Sequence, residues 1–522
     1  MDLLPLFLTS AKLLGVSILA YIGYLVYILI ILPYQKRKFY SKYNNVCMNP
    51  DFKPPMYDMS VLESLHDQNK YKWGIYLEYA DKGKDIHITQ FGYKTIFDLM
   101  SADAFDDFDK QIPEKIDKYT DLQELSFGKT FFGAVMHQPT NKSWHKRKTA
   151  FTKGIGLNFS SRYISLMLEH SKICMDKWNV GDKIDFIPEI NNLTLGVIAS
   201  ILMGKDFNEK MKPINYTHLD GREEVIDFYT IFPRLGKDLM AAMQIPYNLL
   251  FPTLIRNNIL HVNKVNYKNI LAFRQALKDF LKASTDEESC YKQILKDNPD
   301  YDSEELFNDL QGFLFDGYET LSDTFCTTLY FLNKAPEAHK KIQEELKKLG
   351  FEQNEKLIES ITYERLNELE YLMMVIKESL RIDPPLARSM HFYAKEKLSI
   401  CGVPLEKDAI ISMCFIARHY DPKQWHNPYK YIPERFDPES EYYFIPGEEK
   451  KAREARSYVP FSYAVRKCPA VTFAYLELKA VLTYYLSRFE YEVDQDLLDN
   501  ESIRYGVLSH FPLNITIKKK YC

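Results

Sequence analysis

Residues 13–32, LLGVSILAYIGYLVYILIIL, form a continuous apolar run without one charged side chain. About 20 such residues, at a helical rise of about 1.5 Å, match a bilayer core of about 30 Å. The run predicts a single transmembrane anchor within residues 1–35, with one further body over 36–522. Short alternating stretches such as IHITQFG follow, and predict strands within roughly 60–100. From about 140 to 382 the apolar positions recur at helical spacing. Between 396 and 445 the chain turns short, Pro-rich and irregular, with strand-like segments near 396–415. Helical spacing returns over roughly 468–490, in VTFAYLELKAVLTYYLSRF, and a last strand pattern lies near 504–518. The expected class is mainly α with small β-sheets.

One helix stands out. Residues 303–334 are periodic throughout, with Asp302 as N-cap, Glu305 at capping-box spacing and Pro336 beyond the end. At about 1.5 Å per residue this helix is about 48 Å long and crosses a whole domain. Its middle is nevertheless polar, with Asp316, Gly317, Glu319 and Thr320. Such groups are costly to bury unless paired or used, and Gly317 costs about 1 kcal/mol against Ala in a helix interior. The segment therefore predicts either a close approach to something flat or a solvated interruption.

Composition narrows the classes. Hydrophobic residues make up 46% and charged residues 26%, and the net charge is −4. That balance is globular and gives no global nucleic-acid-binding surface. Lys36, Arg37, Lys38 and Lys42 follow the apolar run, so the positive-inside rule predicts a cytosolic body. The eight cysteines contain no C-x-x-C pair. This excludes zinc-ribbon and thioredoxin chemistry and fits reduced thiols.

Three further pieces carry chemistry. The helix YLMMVIKESLRI places Glu378 and Arg381 at i, i+3 on one face. About fifty residues on, YIPERFDPES carries Arg435, in an irregular segment. The stretch PFSYAVRKCP then presents Cys468 after two basic residues. Taken alone, Cys468 fits a buried thiol as well as a ligand.

Together, and in this order, these pieces resemble the cytochrome P-450 family of haem-thiolate monooxygenases, from the anchor to the C-terminus. FSYAVRKCPAVTFAYLE is similar to the family's cysteine loop, with Phe461, Arg466, Cys468, Phe473, Ala474 and Glu477 in register. ESLR, PERF and DGYETL are similar to the E-x-x-R, meander and oxygen-side motifs. WHKRK (144–148) resembles W-x-x-x-R, with Lys148 where Arg is usual. The implied fold is a triangular prism with the long helix over the haem and the cysteine loop beneath it.

The resemblance implies a role for each residue. Cys468 is the thiolate ligand of haem b, with Phe461 beside it. Trp144, Lys148, Arg388 and Arg466 are candidates for the haem carboxylates, and Gly317 lies against the ring. Glu319 and Thr320 are the acid–alcohol pair that relays protons during oxygen activation. Glu378, Arg381 and Arg435 form a buried structural triad. Electrons are expected from NADPH through cytochrome P-450 reductase, with cytochrome b5 as a second donor. WHKRKTAFTK, residues 449–456 and Lys467 are the expected basic docking surface. The expected location is the endoplasmic reticulum membrane, with an apolar small molecule as substrate, bound by residues 120–140, the long central helix, residues 386–392 and residues 505–512.

Besides Lys148, three positions depart from the family pattern. Ala464 and Ala470 stand where Gly is usual, and at φ > 0 an Ala costs roughly 1 kcal/mol or more. Asp316 stands where most members have Ala or Gly, and where the fatty-acid ω-hydroxylase branch has a Glu that can become ester-linked to the haem. The alternatives are a reductase-independent isomerase or peroxygenase, and a non-catalytic haem-binding protein.

Overall fold

The computed structural model describes residues 4–49, 54, 82–91, 94–119, 133–156, 160–245, 248, 253–351, 357–448, 450–494 and 513–521. The chain divides into two compact units. The first comprises residues 1–116 and 388–418, and the second comprises 117–387 and 419–522.

The first unit opens with α1 (Leu4–Val26), a π-helical turn over Tyr27–Ile31, and α2 (Leu32–Tyr40). Pro33 lies in the first turn of α2. A proline has no N–H to return to the preceding turn, and a widened turn accommodates that loss. Val16 and Leu19 are 65% and 70% exposed. The stretch Gly15–Tyr40 is a candidate membrane span, and its most apolar 18 residues have mean hydropathy 2.4. The other helix of comparable apolarity among the described residues, Phe186–Met203, is mostly buried and belongs to the core of the second unit.

The unit's sheet contains β1 (Val46–Met48), β2 (Ile86–Phe91), β3 (Lys94–Leu99), β4 (Phe392–Ala394) and β7 (Ile410–Met413). β5 (Leu398–Ile400) and β6 (Val403–Leu405) form a separate hairpin. β2 and β3 are antiparallel, with Ile88 opposite Phe97, while β3 runs parallel to β7. Helix α3 (Ala102–Asp109) is capped by Ser101, whose side chain accepts from the Ala104 N–H. Of the strand regions expected from sequence, residues 60–81 lie outside the described residues.

The second unit is helical. It includes α4 (Lys142–Gly154), α5 (Phe186–Met203), α6 (Ser303–Lys334), α7 (Glu370–Ile382) and α8 (Val471–Arg488). The helix α6 has the bounds its periodicity predicts. Its cap works in one direction only. Asp302 accepts from the N–H groups of Glu304 and Glu305, at 2.9 Å each. The Glu305 side chain turns to Arg147, 3.5 Å away, instead of completing the box. Within a largely aliphatic core, the rings of Trp178, Phe186, Phe325, Tyr485 and Phe489 form one contacting cluster.

Candidate active site

Cys468 sits three residues before Val471, the first residue of α8. Its N–H donates to the Phe461 carbonyl at 2.9 Å, closing the loop. The Ala470 N–H donates to its sulfur. Burial pushes the thiol up, and the Asp316 carboxyl pushes it further. The Ala470 N–H and the ammonium groups of Lys148 and Lys467 oppose both effects. A backbone N–H and a helix N-terminus are the usual supports of a thiolate. The Phe461 ring rests edge-on against Tyr475, with centroids 5.2 Å apart.

The two unusual alanines differ. Ala464 has φ = 52° and Ser462 has φ = 64°, both left-handed, whereas Ala470 has φ = −98°. The missing glycine therefore matters at 464, and the missing glycine at 470 carries no φ penalty.

Lys148 occupies a different place from the one its motif position implies. Its ammonium donates to the carbonyls of Val465 (2.7 Å) and Lys467 (2.9 Å), so it braces the cysteine loop. It also lies 5.0 Å from the Trp144 ring centre. The Arg466 guanidinium stacks over the same ring at 4.4 Å and donates to the Gln138 carbonyl. Its Nε is buried without a partner among the described residues.

On α6, Asp316 lies deep in the protein mass, yet its side chain is open on one side. Gly317, Glu319, Thr320 and the loop residues Phe461, Arg466 and Cys468 are partly open as well. Asp316 and Cys468 lie close enough for the carboxyl to raise the thiol. Burial pushes the Asp316 carboxyl up to about 7, Lys118 opposes that shift, and Glu319 adds to it. The Thr320 hydroxyl donates to the Asp316 carbonyl at 2.9 Å, so its oxygen remains available as an acceptor. Gly317 has a packing role: a Cβ there would come within 3.0 Å of Ile198 on α5. The polar centre of the helix thus combines partly open polar groups with a close helix crossing.

Two residues close to these groups carry no sequence signal. Lys118 is buried and pulled down to about 7, by desolvation and then by Arg466, with Asp316 and Asp117 opposing. His137 is pulled down to about 3 by burial, Lys118 and Arg466. Arg466 itself falls to about 10 through burial. Lys118 and Arg466 repel one another, and two such close cations suit a bound anion. A haem presents two carboxylates, a flat apolar ring and an iron for a thiolate. The orphaned Arg466 Nε, the two close cations and the Cys468 thiol fit that group.

The remaining predicted residues fall in two places. Glu378, Arg381 and Arg435 are fully buried together. Arg381 donates to Glu378 through Nε (2.7 Å) and a terminal nitrogen (2.8 Å), and Arg435 Nε donates to it at 3.1 Å. Arg381 also donates to the carbonyls of His419 and Pro428, and Arg435 to those of Asn427 and Lys430. Arg388 belongs to the first unit, where it pairs with Asp98 at 3.3 Å. The expected basic surface is narrower than its sequence. Arg453 stacks on Trp425 at 4.2 Å and donates to the Tyr442 carbonyl. Lys142, Lys153 and Lys467 are exposed. Residues 120–132 and 505–512, expected to touch substrate, lie outside the described residues.

Comparison with known proteins places these features in a wider set. The family described as Cytochrome P-450 matches residues 61–515. The mouse protein named leukotriene-B4 omega-hydroxylase 3 is 25% identical over 391 residues, 71% of this chain and 70% of that protein. Mouse cytochrome P-450 3A41 is 31% identical over 205 residues, 38% of this chain and 37% of its own length. Human cytochrome P-450 4F3 is 23% identical over 383 residues, 70% of each chain.

Proposed function

The chain belongs to the cytochrome P-450 family of haem-thiolate monooxygenases, and on that premise we propose that it inserts one oxygen atom into an apolar substrate with NADPH-derived electrons delivered by a reductase. The observation that carries the reading is Cys468, whose N–H is tied to the Phe461 carbonyl just before α8 and whose thiol is raised by the nearby Asp316 carboxyl. Haem held by a cysteine thiolate supplies O–O cleavage when bound.

The chain's own residues take the other roles. Cys468 is the ligand, supported by the Ala470 N–H. Arg466 and Lys118 hold the haem carboxylates, with the Trp144 ring orienting Arg466. Arg388 keeps its motif-based place in this set. Lys148 acts through the loop carbonyls. Thr320 accepts a proton-carrying hydrogen bond at its oxygen, and Glu319 is the acid that refills the relay. That relay favours a monooxygenase over a reductase-independent isomerase or peroxygenase.

For the substrate, we favour a fatty-acid-like chain. Two features support it: the carboxyl at 316, and the relative whose printed name is an omega-hydroxylase. The same carboxyl is the candidate for an ester link to the haem. Acid extraction tests this: a fully extractable haem removes the covalent link. The anchor and its basic flank support single-pass residence in the endoplasmic reticulum membrane, with reductase and cytochrome b5 as donors.

The central test is the reduced, CO-bound absorption spectrum. A red-shifted thiolate band that Cys468→Ser abolishes is expected. Folded, haem-loaded protein without that band would refute the assignment. Product formation that depends on NADPH and reductase separates the monooxygenase from its alternatives.

A further inference from the structure

We propose that the junction between the membrane helix and the first unit's sheet is a binding site for the phosphate headgroup of an anionic glycerophospholipid. A shallow cleft lies there, open to the outside, with free space for about one water molecule. Pro33, Lys36 and Arg37 line one side, and Met48, Ile88 and Thr95 line the other. The lining carries two cations and no acid.

Lys36 is the central group. Its ammonium donates to the Thr95 hydroxyl oxygen at 3.2 Å. That hydroxyl passes its own proton to Gln90 Oε1 at 2.8 Å, which fixes Thr95 as an acceptor. Among the described residues no carboxylate pairs with Lys36. The ammonium is therefore held in place by a neutral oxygen and keeps two N–H groups for another acceptor. A half-buried cation held this way is matched by an anion rather than by a zwitterion.

The depth of the site identifies the source of that anion. The apolar run ends at Leu32. Four residues at about 1.5 Å rise carry Lys36 about 6 Å further. The headgroup layer adds about 5–7 Å on each side of the hydrocarbon core. Lys36 thus falls at the level of the lipid phosphates. The helix also reaches the sheet as a fixed strut. Tyr40 donates to the Pro404 carbonyl at 3.1 Å and meets the Phe97 ring edge-on at 5.2 Å. Apolar Pro33, Met48 and Ile88 would lie beside the first carbons of the lipid, with the phosphate at Lys36 and Arg37.

The inference rests on the anchor spanning the bilayer, which resistance to alkaline-carbonate extraction checks separately. The direct test uses the full chain in phosphatidylcholine nanodiscs with phosphatidylserine added, and native mass spectrometry of the released protein. Wild type should retain a phosphatidylserine, and Lys36→Gln should reduce its retention at least about tenfold. Lys38→Gln, which removes an exposed cation outside the cleft, should cost only the roughly fivefold expected of one surface lysine. Equal losses in the two variants would overturn the site in favour of diffuse attraction. Displacement of the lipid by millimolar inorganic phosphate would overturn it in favour of a soluble-anion site. An unchanged thiolate band in both variants confirms that neither result reflects misfolding.

Discussion

Glu378→Gln is the sharpest test of how the helical unit is held together. One carboxylate accepts two hydrogen bonds from Arg381, one from Arg435 at 3.1 Å and one from the Ile432 N–H at 2.8 Å. All three charged side chains are 0% exposed. The substitution keeps the volume and removes the negative charge that the two buried guanidinium groups share. Breaking one buried pair costs about 3–5 kcal/mol. The carbonyls of His419, Pro428, Asn427 and Lys430 still accept from both arginines, which keeps the loss toward the lower end of that range. The assay is guanidinium unfolding followed by tryptophan fluorescence. Trp425 reports locally, since the Arg381 guanidinium lies 5.3 Å from its ring centre. Removing both charges, in Glu378→Gln with Arg381→Met, should cost less than the sum of the single changes. The reason is that the second change removes a charge the first has stranded. A single variant costing below about 1 kcal/mol, or strict additivity, would refute the stranded-charge argument.

Three other outcomes follow from the geometry. Lys118→Met should weaken haem uptake by the apo-protein, read as absorbance on titration, while Lys118→Arg retains it; uptake unchanged in Lys118→Met would remove Lys118 from the carboxylate cradle. Thr320→Ala should lower the fraction of NADPH consumption that appears as oxygenated product, with the CO-bound band intact. In the first unit, burial pushes the Asp98 carboxyl up, but the Arg388 charge and then hydrogen bonds from His87 and Ser412 outweigh it and hold the group well below the usual range. Its stabilising contribution is therefore full above the ordinary carboxylate pKa of about 4 and is lost as pH falls through the depressed value. Asp98→Asn should lower stability at pH 7 and flatten the acid limb of the stability–pH curve.

Legibility from sequence followed the kind of constraint involved. The buried cluster of Glu378, Arg381 and Arg435 was readable through the resemblance that joins its motifs, and α6 because periodicity and a cap fix both ends. Lys118 and His137 were not readable. One ends a three-residue strand and the other lies in a 3₁₀ turn, so nothing periodic marks them. Residues 144–148 show a different limit. Sequence gives the charges of Arg147 and Lys148 but not their directions. Consecutive helical positions point about 100° apart, and here Arg147 goes to buried Asp309 while Lys148 goes to the cysteine loop. Arg453 shows the same limit, since a charge run reads as surface until an aromatic face is found beneath it.

Two departures from the family pattern, Lys148 and Ala464, meet in one loop. Ala464 at φ = 52° carries a left-handed cost of about 1–2 kcal/mol. Lys148 donates to the carbonyls of the next residue, Val465, and of Lys467. Hydrogen bonds from a charged group contribute about 1.5–3 kcal/mol each, enough to hold the strained turn. The two positions should therefore be coupled. Lys148→Met alone should release the strain and speed loss of the thiolate–haem band under mild denaturant. Ala464→Gly alone should slow that loss, because glycine adopts this φ freely. In the Ala464→Gly background, Lys148→Met should cost clearly less than in the wild type. Equal costs in the two backgrounds would mean that the lysine stabilises the loop independently of its strained alanine.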